Sequence, residues 1–118
     1  MSKHSKIGIK GEQLAEEFLL NKGYSIVKRN WRSGRKEVDI IAFKDDMLVI
    51  VEVKTRSMTG FGFPEEAVNV RKQQHLKVAA EAFSVQHPEY INFRFDIVSI
   101  VMKGDDVREI VHFEGAFY

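Results

Sequence analysis

The chain contains no cysteine, so it can form neither a disulfide framework nor a thiolate metal site. It has only two prolines, and both punctuate: Pro64 suits the first position of a helical turn, and Pro88 marks the end of a helix. No apolar run approaches the ~18 residues of a membrane span. The polar start, MSKHSKIGIKGEQ, lacks the apolar segment of a secretory signal. No repeat, low-complexity tract or linker interrupts the 118 residues, which suit a single domain, 1–118, with residues 1–6 expected as a disordered tail. A soluble, cytoplasmic protein with no membrane partner is the expectation.

Excess charge of one sign is also scarce, the net being +1. That balance hides an asymmetry. Residues 1–60 carry 12 Lys+Arg against 8 Asp+Glu, whereas residues 61–118 carry 6 against 9. The basic excess gathers at Lys28, Arg29, Arg32, Arg35 and Lys36 around Trp31. Such a pattern fits a phosphate-facing patch, and it fits equally a solvated hairpin with Trp31 packed beneath.

What the chain does have is a β-branched apolar run, residues 47–55 (MLVIVEVKT), that ends in Glu-Val-Lys. In a strand Leu48, Ile50, Glu52 and Lys54 share one face, and Met47, Val49, Val51 and Val53 the other. Apolar residues on both faces mark a central, covered strand, where a carboxylate and an amine must find partners or do a job. Residues 37–43 (EVDIIAF) read as a companion strand, joined to it by a tight turn at 44–47. If Lys44 pairs with Met47, every antiparallel pair sums to 91, so Asp39 opposes Glu52 and Glu37 opposes Lys54. Two carboxylates about 5 Å apart in such a place repel by about 3 kcal/mol unless something positive lies between them.

The remaining segments follow from periodicity and punctuation. Residues 7–22 read as a helix with Ile7, Gly11, Leu14, Ala15, Phe18 and Leu19 on one face and Gly23 at its C-terminal cap. Glu12 lies closest to that face, while Glu16 and Glu17 turn to solvent. A strand at 24–31 and a basic turn at 32–35 follow. A glycine- and phenylalanine-rich loop is expected at 56–64 and a short helical turn at 64–68. A helix from the Asn69 cap to Gln86 has Val70, Leu76, Ala79, Ala80 and Phe83 inside. A hairpin of strands at 91–102 and 107–113 closes the chain. The order suggests an α/β or α+β sandwich with one mixed sheet, the long helix carrying the fourth strand into parallel pairing.

Glu12, Asp39, Glu52 and Lys54 form a candidate site. Asp39 and Glu52 offer hard oxygen ligands suited to Mg2+ or Mn2+, and the carbonyl of Val53 can add another. Such an ion activates water and stabilises charge in phosphoryl chemistry. Lys54 could then orient the water or neutralise the transition state, and Glu12 could hold water or a second ion. The structural alternative is a salt-bridged cluster in which Lys54 neutralises one carboxylate with Glu37 as its cross-strand partner. Arg56, Arg71 and Lys72 are candidates for phosphate contact. Asp96, in an apolar strand, reads as a structural hydrogen-bonding group. His4, His75, His87 and His112 share no ligand spacing and read as surface or packing residues.

A helix carrying Glu, an Asp on a hydrophobic hairpin arm, then Glu-x-Lys on the next strand resembles the PD-(D/E)xK nuclease pattern. More narrowly, GEQLAEEFLLNKGY, RKEVDIIAF, LVIVEVKTR and FGFPEEAV resemble the bacterial YraN family, also called UPF0102, over nearly the whole chain. That family is similar in predicted fold to archaeal Holliday-junction resolvases. The resemblance implies an α/β, restriction-endonuclease-like core with a mixed five-stranded sheet flanked by helices. It also implies catalytic positions at Glu12, Asp39, Glu52 and Lys54, with Mg2+ or Mn2+ as cofactor. The expected activity is a metal-dependent endonuclease acting on DNA, branched DNA included, with Arg29, Arg32, Arg35, Lys36, Arg56 and Lys72 contacting nucleic acid. Two sites on a symmetric junction would require a homodimer. The alternatives are a non-catalytic nucleic-acid-binding module of a larger assembly, or a structural protein in which the acidic cluster is a salt-bridge network.

Overall fold

A computed structural model of the chain describes residues 6–57 and 69–118. Its elements run α1 (Lys6–Asn21), β1 (Ser25–Ser33), β2 (Lys36–Lys44), β3 (Met47–Ser57), α2 (Val70–Gln86), β4 (Phe93–Lys103) and β5 (Asp106–Phe117). The strands form one mixed sheet in the order β1-β2-β3-β4-β5, with β3 and β4 parallel and every other pair antiparallel. This is an α/β protein with a five-stranded sheet flanked by helices, the architecture implied for a restriction-endonuclease-like core. The parallel pairing follows from the crossover through α2.

Each turn has a local cause. The end of α1 carries bonds from Gly23 N–H to Leu20 and from Tyr24 N–H to Leu19, both 3.0 Å, with Gly23 at φ 95°. That is the glycine-capped stop expected there. Asp45 and Asp46 both take positive φ, 51° and 65°, which matches a two-residue hairpin loop to the strand twist. The Asn69 side chain accepts the Lys72 N–H at 2.9 Å and starts α2.

The strand faces sort into two cores. Ala15 and Leu19 of α1 pack on Ile40, Ala42, Val49, Val51, Val53, Val98, Ile100 and Met102. Leu76, Ala79, Ala80 and Phe83 of α2 pack on Val38, Ile41, Leu48 and Ile50. The alternation expected for β3 is therefore observed, with both faces covered. Gly11 seats α1 on β3, because a Cβ there would collide with the Thr55 hydroxyl.

Several expectations shift. Val70 is exposed rather than inside α2, since it sits at the very start of the helix. Arg56 belongs to β3 rather than to a loop, because the parallel ladder runs on to Ser57↔Met102. Lys6 is already helical; residues 1–5 of the expected tail lie outside the described residues. So do the rest of the expected loop and the helical turn at 64–68.

Candidate functional site

The hairpin of β2 and β3 holds the expected register, each pair summing to 91, from Lys44↔Met47 as far as Ile40↔Val51. There it stops. The predicted cross-strand pairs Asp39–Glu52 and Glu37–Lys54 are not part of the ladder. In a continued ladder the N–H of Val53 would go to the carbonyl of Val38. Instead it donates to Asp39 Oδ2 at 2.8 Å. The side chain has taken the place of the neighbouring strand, and β3 runs on paired to β4.

Two further irregularities mark the same point. Val38 lies in the α2-side core and Ile40 in the α1-side core, so the two-residue alternation breaks across Asp39. Asn30, flanked by the pairs Arg29↔Ile40 and Trp31↔Val38, takes a left-handed φ of 48°. Non-glycine residues rarely adopt that conformation, and Asn tolerates it best.

Asp39 and Glu52 are both buried, 1% and 2% exposed. In a strand the N–H and C=O of one residue point to the same side, so the Val53 carbonyl faces the gap on the Asp39 side. Two buried carboxylates and a main-chain carbonyl make a hard-oxygen donor set, the kind that fits Mg2+ or Mn2+. Among the described residues no three acids or histidines cluster closely enough to hold a metal by themselves. A small ion that keeps several waters does not require three.

Glu12 of α1 and Asp39 line one cleft of about 200 Å³ together with Glu16, Arg29 and Asn30. Glu52 approaches from the opposite face, where Lys72 Nζ lies 3.6 Å from its Oε2. Lys54 is half-buried and makes no ion pair among the described residues. The salt-bridged alternative thus does not form as drawn. Lys72 rather than Lys54 neutralises Glu52, and Glu37 pairs with Arg32 at 3.6 Å.

The basic residues do not assemble into one patch. Arg29 forks onto Glu16 at 2.6 and 2.7 Å. This bond lowers the Glu16 carboxyl below its usual range, and Glu16 was expected to point to solvent. Trp31 packs edge-on against Phe83 of α2, as the hairpin reading required. Lys36 instead joins Arg71, Lys72 and His75: burial, then the charges of Lys36, Lys72 and Arg71, hold the His75 imidazole below its ordinary pKa. His75 is nonetheless exposed, in keeping with its reading as a surface residue, but its place beside these cations was not foreseen. Its position four residues after Arg71 and three after Lys72 was the available clue, since that spacing shares a helix face.

A second polar cluster lies against the C-terminal end of α1. Asp96 is fully buried and accepts from Arg94 Nε and Nη2, both at 2.8 Å, and from the Gly115 N–H at 3.0 Å. His112 Nε2 is 2.7 Å from Asp96 Oδ2, and its Nδ1 is 2.7 Å from Lys22 Nζ. A lysine ammonium can only donate, so Nδ1 accepts and the Nε2–H donates to Asp96. Asp96 is the structural hydrogen-bonding group expected, and His112 proves to be its buried partner.

The sequence model of the uncharacterised protein family UPF0102 matches residues 11–100. A UPF0102 protein of Flavobacterium psychrophilum is 43% identical over 118 residues, covering 100% of this chain and 98% of that one. A UPF0102 protein of Bacteroides thetaiotaomicron is also 43% identical over 118 residues, covering 100% and 97%. Among solved structures, Pyrococcus furiosus SfsA in complex with Ca2+ matches at a TM-score of 0.38 and 18% identity, over 87% of this chain and 60% of that one. No helix among the described residues is long and apolar enough to cross a membrane.

Proposed function

The chain belongs to the uncharacterised protein family UPF0102, and from that premise we propose that it is a metal-dependent endonuclease hydrolysing phosphodiesters in DNA, branched or junction DNA included. The observation that carries this reading is the ending of the β2–β3 ladder at Asp39. It leaves two buried carboxylates and the Val53 carbonyl beside a gap between strands. Carboxylates are costly to bury and are kept where they are paired or do a job; here two of them and a main-chain carbonyl meet where the ladder is interrupted.

Asp39, Glu52 and the Val53 carbonyl would hold Mg2+ or Mn2+, which supplies Lewis acidity at the phosphate. Lys54, on the Glu52 face, orients the attacking water and neutralises the charge that develops on the phosphate oxygens. Glu12 positions water from the α1 side. Arg29, Arg32, Arg35, Lys36, Arg56 and Lys72 bind flanking phosphates, with Arg29 and Arg32 exchanging Glu16 and Glu37 for them. Cutting a symmetric junction on both strands calls for a homodimer. The reading places the protein in the cytoplasm.

A non-catalytic nucleic-acid-binding module is the second reading, and one observation favours it: Glu52 already has a counter-ion in Lys72. Incubation with a synthetic four-way junction and a linear duplex, in Mn2+ and in EDTA, separates the two. The endonuclease cleaves in Mn2+ alone, and Glu52→Gln abolishes cleavage. Binding of the junction without cleavage under any condition would sink the enzyme reading and leave the module.

A further inference from the structure

The cation that neutralises Glu52 is held in place against its other neighbours. Lys72 Nζ lies 3.6 Å from Glu52 Oε2; the Lys72 side chain is 31% exposed and that of Glu52 3%. Lys72 stands in the first turn of α2, just after the Asn69 cap. The backbone N–H groups there make the helix end positive, so a cation is misplaced. No acid occupies that turn to offset it. Arg71 adjoins it in sequence, and Lys36 completes a group of like sign, close enough for the three charges to bear on the His75 imidazole. The attraction of Glu52 therefore opposes repulsion from the helix end, Arg71 and Lys36.

We propose that Lys72 is an exchangeable counter-ion: it neutralises Glu52 in the metal-free protein, and when a divalent cation takes that carboxylate it transfers to a nucleic-acid phosphate alongside Lys36 and Arg71. The inference rests on the metal site proposed above. Once the charge of Glu52 is taken up by the ion, the repulsion from the helix end, Arg71 and Lys36 is no longer opposed by that carboxylate. The stem of Lys72 is flexible and its ammonium lacks the fixed fork that would hold an arginine in one geometry. Its side chain is already partly open to solvent. A phosphate is the anion that a nucleic-acid substrate brings to that face. The exchange keeps a buried carboxylate paired until the ion arrives. It also links the two ligands, because an ion at Glu52 raises affinity for the phosphate, and by reciprocity the phosphate raises affinity for the ion.

Two measurements on the full chain test this. In calorimetric titration with Mn2+, Lys72→Gln should bind about three- to tenfold more tightly than wild type, since the competing cation is gone. Arg71→Gln, which removes the same charge without touching Glu52, should stay within about twofold. In EDTA, Glu52→Gln imitates the neutralised carboxylate. Its affinity for a DNA duplex should fall with salt more steeply than that of wild type, by a slope of about 0.9, and Glu52→Gln/Lys72→Gln should lose that gain. Wild type that binds Mn2+ with no gain in Lys72→Gln, or with an equal gain in Arg71→Gln, overturns the exchange and leaves the metal site standing. No Mn2+ binding by any of the three overturns both. A double variant as salt-sensitive as Glu52→Gln overturns the transfer to phosphate.

Discussion

The carboxylate of Asp39 accepts the backbone N–H of Val53 at 2.8 Å, on the residue next to Glu52. One bond thereby does two things. It ends the pairing of β2 with β3, and it ties Asp39 to the Glu52 strand without setting the two carboxylates in a ladder pair.

Removing the acceptor should therefore cost stability. Asp39→Ala leaves the Val53 N–H buried without its bond and should lose about 1–3 kcal/mol in denaturant unfolding in EDTA. Asp39→Asn retains an acceptor oxygen and should lose less. Mn2+ at a hundred times its dissociation constant should stabilise wild type by about 2.7 kcal/mol and neither variant. A metal response that survives in Asp39→Ala would place the ion elsewhere.

Lys54 shares the α2-side face with Glu52 but is not its counter-ion. Lys54→Ala should consequently retain Mn2+ affinity and most DNA affinity, while single-turnover cleavage falls about 10²–10³-fold. A parallel loss of Mn2+ binding would show that the lysine supports the site rather than the chemistry.

The seating of α1 depends on the missing side chain of Gly11. Gly11→Ala drives a methyl into Thr55 and should cost about 1–3 kcal/mol despite the better helix propensity of alanine. Adding Thr55→Ala should recover much of the loss, a coupling that a double-mutant cycle of thermal unfolding reads directly. Additive losses would mean that the helix has simply shifted.

Acid should weaken the cluster at the end of α1. Burial pushes the Asp96 carboxyl up, but hydrogen bonds from Arg94, His112 and the Gly115 N–H outweigh it and hold the pKa at about 2, from 3.8. A folded pKa below the unfolded one gives stabilisation that is whole above about pH 4 and is lost as the pH falls toward 2. The loss is on the order of 2 kcal/mol, read as denaturation midpoints between pH 2 and 5. Asp96→Asn should flatten that profile at a lower overall stability, and an unchanged profile would assign the acid sensitivity to other carboxylates.

The sequence by itself determined the helices and strands among the described residues, the faces of β3, the register of the β2–β3 hairpin as far as Ile40↔Val51 and the caps at Gly23 and Asn69. These rest on local physics: period-two alternation, helical spacing, and side chains or glycines that satisfy backbone groups within a few residues. It also carried the likeness to UPF0102, because the motif blocks are contiguous. Only the tertiary structure decided where the hairpin ladder stops, since that depends on Asp39 outbidding a main-chain carbonyl for the Val53 N–H. It decided, too, that Glu52 is neutralised by Lys72, twenty residues away on α2, rather than by the nearby Lys54. The same holds for His112 with Asp96 and for the division of the basic residues among Glu16, Glu37 and the start of α2. Charges find partners through space across packed elements, and no spacing along the chain encodes which of several cations a buried carboxylate will meet.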